Sequence, residues 1–225
     1  DLTETEDFSY FKERTEKGLP IVFFDRIVDE INTHKVIVDN YKGAYDATSH
    51  LIDNGYKRIA TVANAEFLSI TKERLAGYKA ALKDHHLPVD ESLIRYCHHG
   101  GMMLIEVEDA VNSLLKMKQK PDAIFASSDK LTTGCLRILK AKKVSVPDEI
   151  ALVGFSNTDL NELLDPPLTV IRQPAFEMGE IATSLLLQLI ESKRPVTDFE
   201  TKVLASELII RESSKKKKVK AKALA

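Results

Sequence analysis

Three short apolar runs in the middle of the chain constrain its fold more than any other feature. They cover residues 123–126, 150–155 and 168–172, and they are followed by Ser127-Ser128-Asp129, by Ser156 and by Gln173. An amphipathic segment of helical length, residues 129–142, separates the first two. Parallel sheets present polar groups in this way at the carboxyl ends of their strands, where open α/β folds bind ligands. The pattern therefore predicts a parallel sheet with a ligand site at one edge.

The same alternation of strand-like and helix-like segments extends over most of the chain, which predicts an α/β fold. Further strands are expected at 21–24, 36–38, 59–62, 94–97, 203–204 and 207–210. Helices are expected at 40–54, 71–85, 104–117, 129–142 and 174–191. Asp39 and Asn40 supply an N-cap for the first of these helices, and Gly55 stands where a glycine commonly ends one.

Charge argues against DNA binding by this chain itself. The net charge is −2, but residues 213–225 carry six lysines and no acidic residue, so residues 1–212 carry −8. An acidic body is a poor electrostatic match for a phosphate backbone. The lysine-rich segment 213–225 is predicted to be a disordered, solvated tail.

The length of the apolar runs and the two isolated cysteines indicate a cytoplasmic protein with no membrane span. No apolar run approaches the roughly 18 residues that a membrane span needs, and no leader pattern appears at the start. Cys97 and Cys135 stand without a CxxC motif, so reduced, buried thiols are expected, although the sequence leaves one disulfide between them open.

Motifs for catalysis, metal binding and cofactor binding are missing from the sequence. It contains no nucleophile elbow, phosphate-binding loop or dinucleotide fingerprint. The pairs His85-His86 and His98-His99 lack a carboxylate at a spacing that would complete a metal site. We therefore expect a protein that is not an enzyme and uses no cofactor or metal; a small α/β enzyme is the alternative without motif support.

Several sequence segments, in order along the chain, resemble those of a known family. They are Gly18 to Arg26, Val38 to Asn40, Asn54 to Ala60, Glu73 to Tyr78, the block from Pro121 to Gln173, and Leu208 to Ser214. Together they resemble the effector-binding domain of the lactose-repressor (LacI/GalR) family of bacterial transcriptional regulators.

The resemblance implies a fold of two Rossmann-like lobes of the periplasmic-binding-protein type. Three crossovers are expected near residues 56–59, 172–173 and 198–202. An N-terminal lobe would comprise 1–57 plus 173–198, and a C-terminal lobe 58–172 plus 199–212. Against the family's pattern, the helix-turn-helix headpiece and the first βα units of the N-terminal lobe have no counterpart, so that lobe is expected to be incomplete.

The resemblance also implies the residues of a ligand cleft. Arg74 matches a cleft arginine, Ser128 and Asp129 match a polar pair at a strand end, and Gln173 matches a polar residue at the second crossover. Ser156 stands where relatives usually have an aspartate, which indicates a different ligand or pose. Three of them have a simpler alternative: Arg74 as an exposed helix arginine, Asp129 as a helix N-cap, and Ser156 as a loop serine.

Four further side chains are weaker candidates for the cleft. Tyr41, Phe67 and Phe155 could stack on a ligand, although core packing is more common for a single aromatic residue. His99 lies where relatives line the cleft.

The resulting hypothesis is the effector-sensing region of a LacI-type regulator. It would bind a small polar metabolite of sugar-like chemistry, pair as a homodimer, and reach operator DNA only through a headpiece absent from this chain. A periplasmic sugar-binding protein of a transport system is the alternative. As a ligand contact, Arg74 is expected to be replaceable by alanine without loss of the fold.

Overall fold

The computed structural model describes residues 7–216. Its strands are β1 (Val22–Phe24), β2 (His34–Val38), β3 (Ile59–Ala63), β4 (Ile94–Tyr96), β5 (Ala123–Ala126), β6 (Ala151–Phe155), β7 (Thr169–Arg172), β8 (Thr201–Leu204) and β9 (Glu207–Ile209). Its helices are α1 (Ser9–Glu16), α2 (Asn40–Asp53), α3 (Ser69–Asp84), α4 (Leu104–Leu115), α5 (Asp129–Ala141) and α6 (Ala175–Glu191).

Two sheets organise these elements. One has six strands in the order β4-β3-β5-β6-β7-β9, all parallel except β9, which is antiparallel to β7. The other has three parallel strands in the order β1-β2-β8. The α/β fold predicted from the sequence is confirmed.

The six-stranded sheet is covered on both faces by helices, and we call this unit the large lobe. Strands β3, β5 and β6 are buried along their whole length, as their continuous apolar runs predict. One face packs against α4 and α5 through residues such as Val111 and Leu139. The other face packs against α2 and α3 through residues such as Leu51 and Tyr78.

The three-stranded sheet forms the small lobe together with α1 and α6. Met178, Ala182 and Leu185 of α6 pack on β2 and β8. A separate cluster gathers Phe23, Val28 and Ile31 with apolar side chains at the start of the described chain. Helix α1 is an element that the sequence patterns above did not indicate.

The predicted lobe boundaries differ from the structure at two of the three crossings. Helix α2 packs on α3 and on strands of the large lobe, and its Gly43 lies against Phe155 and Ile171. The chain therefore first crosses at residues 39–40, before the helix, and not at 56–59. Strand β8 pairs with β2, so residues 201–204 belong to the small lobe and the last crossing lies between Leu204 and Glu207.

The predicted start of a disordered tail at residue 213 is wrong for its first two residues. Ser213 and Ser214 are fully buried. Ser213 Oγ accepts from the Thr169 amide and donates to the Leu152 carbonyl, while Ser214 Oγ is bonded to Thr169 and His50. These bonds anchor the segment to β6, β7 and α2, an outcome that serine and lysine content could not indicate. Residues 217–225 of the predicted tail lie outside the described residues.

Candidate functional site

A cavity of about 260 Å³ opens where the two lobes meet. The small lobe contributes the end of β1 and the start of α6, and the large lobe contributes the carboxyl ends of β5 and β6 with their following loops. The lining residues are Phe24, Asp25, Asp129, Phe155, Ser156, Asn157, Gln173, Ala175 and Met178. The cavity lies at the carboxyl ends of those strands, where the sequence pattern predicts a ligand site.

Ser156 and Asp129 come together at the floor of the cavity. The Ser156 hydroxyl donates to Asp129 Oδ1, and Asn161 Nδ2 donates to Ser156 Oγ over 2.9 Å. Asp129 is the first residue of α5, but its side chain makes no bond that caps this helix. A carboxylate and a hydroxyl from neighbouring strand ends are therefore held together at the floor of the cavity.

Gln173 connects the lobes. Its side-chain Nε2 donates to Asp25 Oδ1 in the small lobe over 3.1 Å. Its backbone is held by Asn157, which accepts from the Gln173 amide and donates to the Gln173 carbonyl, both over 2.9 Å. The second crossing is thereby tied to a large-lobe loop on one side and to a small-lobe carboxylate on the other.

Arg74 does not line the cavity. It is 3% exposed, and its Nε donates to Asn40 Oδ1 over 2.8 Å while Nη1 donates to the Ser127 carbonyl. The guanidinium lies 3.6 Å from the ring centroid of Phe155, behind the cavity wall. Burial lowers the pKa of Arg74 to about 10, against the attraction of Asp25 and Glu73.

This placement removes the basis for two sequence-based interpretations of Arg74. It is not an exposed helix arginine, and its buried bonds contradict the expectation that it supports little of the fold. A buried guanidinium with two protein acceptors is part of the internal framework of the large lobe.

Ser128 is close to this framework and not among the cavity-lining residues. Its hydroxyl donates to Asn64 Oδ1 over 3.1 Å, linking the ends of β5 and β3. Asn64 is buried, and its Nδ2 has no hydrogen-bond partner among the described residues.

The weaker candidates lie apart from the cavity, with one exception. Phe155 lines it. Tyr41 is exposed on α2 and stacks on Tyr45. Phe67 lines a separate crevice of about 100 Å³ between the lobes, and exposed His99 is bonded to Glu106.

Sequence reasoning missed Asp25 and Asn157 as site residues. Asp25 directly follows the apolar run of β1, the same pattern that marked Asp129, so the position could have been found. Its backbone φ is +59°, in a region that Asp tolerates better than most residues. Asn157 has no comparable signature, because its role depends on the Gln173 backbone sixteen residues away.

The part of the chain that the structure describes offers little for metal binding or for thiol chemistry. No group of three or more His, Cys, Asp or Glu side chains there could hold a metal ion. Both cysteines are buried and free, and burial raises the pKa of Cys97 to about 12 and also raises that of Cys135. Within residues 7–216, no helix is long and apolar enough to cross a membrane.

Comparison with known proteins identifies a family model and named relatives. A model described as a periplasmic binding protein-like domain matches residues 48–214. The HTH-type transcriptional repressor CytR of Escherichia coli is 33% identical over 196 residues, which cover 87% of this chain and 56% of the relative. The ribose operon repressor of Haemophilus influenzae is 31% identical over 199 residues, covering 87% and 58%. The chain therefore spans a little over half the length of these relatives.

Solved structures match both lobes. The transcriptional regulator CelR–cellobiose complex has a TM-score of 0.77 at 34% identity, covering 89% of this chain and 60% of that one. A LacI family regulator from Enterococcus faecium with bound ribose has a TM-score of 0.81 at 27% identity, covering 92% and 75%. The periplasmic-binding-protein-like fold is thus confirmed.

Proposed function

Since this chain belongs to the LacI/GalR family of transcriptional regulators, we propose that it is the effector-sensing region of such a regulator. In this proposal a small polar metabolite binds in the cavity between the lobes. Binding changes the affinity of the whole protein for its operator.

The observation that carries the proposal is that both lobes and the crossing between them line one cavity. Asp25 comes from the small lobe, Asp129 and Ser156 come from the large lobe, and Gln173 lies at the crossing. A ligand held by all of them favours one lobe–lobe angle over others. It can shift the equilibrium only by its difference in affinity for the two arrangements.

The class of effector is supported by the chemistry of the wall and by the relatives. Polar side chains alternate there with Phe24, Phe155 and Met178, which suits a ligand with polar edges and an apolar face. Two similar structures are named with cellobiose and with ribose. A sugar-like metabolite is therefore the proposed effector.

DNA binding and dimerisation belong to the same proposal. With −8 on residues 1–212, this chain is unsuited to bind DNA phosphates, so a headpiece outside it would read the operator. The protein would act as a cytoplasmic homodimer. Sedimentation at tens of micromolar should show the dimer, and a monomer at that concentration would contradict it.

A sugar-binding protein of a transport system would share this cavity. The relatives at 31% and 33% identity are named as repressors, which favours the regulator.

A ligand screen followed by calorimetry tests the proposal. Sugars and nucleosides that raise the melting temperature would be titrated into the parent, into Gln173→Ala and into Gln188→Ala, whose exposed site on α6 provides a matched control. Gln173→Ala should weaken binding by about fivefold or more, because it removes the link to Asp25. Equal binding by all three proteins would contradict the assigned site.

A further inference from the structure

The wall of the cavity is acidic. Asp25 and Asp129 both line it, and none of its nine lining residues is Lys, Arg or His. Carboxylates that line a cavity without a cation in the same wall favour a positively charged occupant.

The side-chain donors in the wall each make one hydrogen bond within the protein. The Ser156 hydroxyl donates to Asp129, the Gln173 side-chain amide donates to Asp25, and the Asn157 amide donates to the Gln173 carbonyl. Each carboxylate receives its bond on Oδ1 only. Among residues 7–216, Oδ2 of Asp25 and Oδ2 of Asp129 accept no hydrogen bond. The wall therefore offers two free carboxylate oxygens to a ligand, beside one remaining N–H on each of Gln173 and Asn157.

The nearest cations do not reverse this balance. The guanidinium of Arg74 lies behind the Phe155 ring and is held by Asn40 and Ser127. Arg26 and Lys72 line the neighbouring crevice, where Asp29 and Glu30 also lie. Arg74 attracts Asp25 through this wall and offsets part of its charge, but the two charged groups that line the cavity itself are both carboxylates.

From this arrangement we infer that the effector carries a protonated amino group, which the carboxylates of Asp25 and Asp129 bind. This inference rests on the proposed effector-sensing function and narrows its ligand class. An ammonium group has three donors and no acceptor, so it complements a wall of free acceptors. Phosphorylated or carboxylated forms of the same molecule would be repelled.

The rest of the wall limits the size and shape of the amine. Phe24, Phe155, Ala175 and Met178 supply an apolar surface for the carbon face of a ring. A cavity of about 260 Å³ is at the small end of ligand sites, which fits a single ring better than an oligosaccharide. A hydroxylated single-ring amine, such as an amino sugar, meets these requirements.

Charge-matched ligand series test the inference. Glucose, galactose and mannose would each be compared with the corresponding 2-amino-2-deoxy sugar and 6-phosphate, by thermal shift and then by calorimetry. In at least one series the amine should bind about tenfold or more tightly than the neutral sugar, and the phosphate should not bind. A neutral sugar or a phosphate that binds as well as its amine would overturn the inference while leaving the proposed function intact. The absence of binding by every member would count against the proposed function itself, and the inference would fall with it.

Variants of the two carboxylates test whether Asp25 and Asp129 cause the preference for an amine. Asp25→Asn keeps a residue type that tolerates φ of +59°, and Asp129→Asn keeps an acceptor for Ser156. Asp165→Asn removes the same charge from a fully exposed side chain and is the control. The amine preference should fall by about threefold or more in each cavity variant and remain unchanged in the control. Equal preference in all four proteins would overturn the assignment of these two carboxylates.

Discussion

The large and small lobes bury their sheets to different extents. The large lobe has strands that are buried end to end and helices on both faces, with one core cluster on each side. In the small lobe, β8 buries only Leu204 and α6 buries only three of its side chains. The cavity lies between the two lobes. Its large-lobe wall therefore belongs to a densely packed unit, and its small-lobe wall belongs to a more thinly packed one. Such an arrangement allows the lobe angle to change while the large-lobe half of the site keeps its geometry.

A pair of glycine substitutions should expose this difference most strongly. A Cβ on Gly154 of β6 would lie 2.1 Å from Thr132 Oγ1 and 2.7 Å from the Ala126 carbonyl oxygen. Gly154→Ala should therefore lower the free energy of unfolding by at least about 3 kcal/mol, since the backbone has no room to move. At Gly179 of α6 a Cβ meets nothing within 4 Å, so Gly179→Ala should stabilise by about 0.5–1 kcal/mol. Urea denaturation measures both, and equal effects would contradict the contrast between the lobes.

Arg74→Ala should destabilise the large lobe by about 3 kcal/mol. The change leaves Asn40 Oδ1 and the Ser127 carbonyl without their donor and opens space beside Phe155. Arg137→Ala removes the same side chain from an exposed position of α5 and should change stability by less than about 0.5 kcal/mol. If Arg74→Ala unfolds at the same urea concentration as the parent, the arginine is not part of the framework.

Ser213→Ala should cost about 1–3 kcal/mol, because it leaves the Thr169 amide and the Leu152 carbonyl buried without partners. Ser184→Ala on the exposed face of α6 is the control in the small lobe. Thermal unfolding of the two variants compares them directly. A melting temperature unchanged by Ser213→Ala would show that this terminal segment does not help to hold the large lobe.

Asn157→Ala should lower stability by about 1 kcal/mol and act mainly on the crossing between the lobes. The exposed Asn157 holds both the amide and the carbonyl of Gln173, so its removal should speed hydrogen exchange at the Gln173 amide. Exchange in β3 and β5 should stay as in the parent. Uniform acceleration across the large lobe would instead indicate general destabilisation.

The smallest expected effect is the contribution of His50 to the loss of stability at low pH. Burial lowers the pKa of His50, against the attraction of Asp53, so the folded protein binds this proton more weakly than the unfolded chain does. Its burial therefore reduces stability as pH falls through the ordinary range of histidine, near 6.5. His50→Gln should flatten the loss of melting temperature between pH 7 and 5. An unchanged slope in His50→Gln would remove this residue from the acid response.

The candidate site shows what local sequence patterns can and cannot indicate. Asp129, Ser156 and Gln173 were predicted from the family resemblance and from their positions after apolar strands, whose ends converge in a parallel sheet, and all three line the cavity. The same rule would have found Asp25. Arg74 was assigned to the cleft through the family resemblance and not by this rule. Helical spacing alone could not indicate that its acceptors belong to α2 and to the end of β5.

By itself the sequence determined the α/β class, the position of most strands and helices, and the sheet edge where the polar residues of the cavity wall lie. These features depend on hydrophobic periodicity and on caps such as Asp39, which act over a few residues. Only the tertiary structure decided which lobe receives α2 and β8, that Ser213 and Ser214 are buried, and that Asn157 holds Gln173. Each of these depends on contacts between segments far apart in the chain, since packing and hydrogen bonding across the fold select a partner that no local pattern specifies.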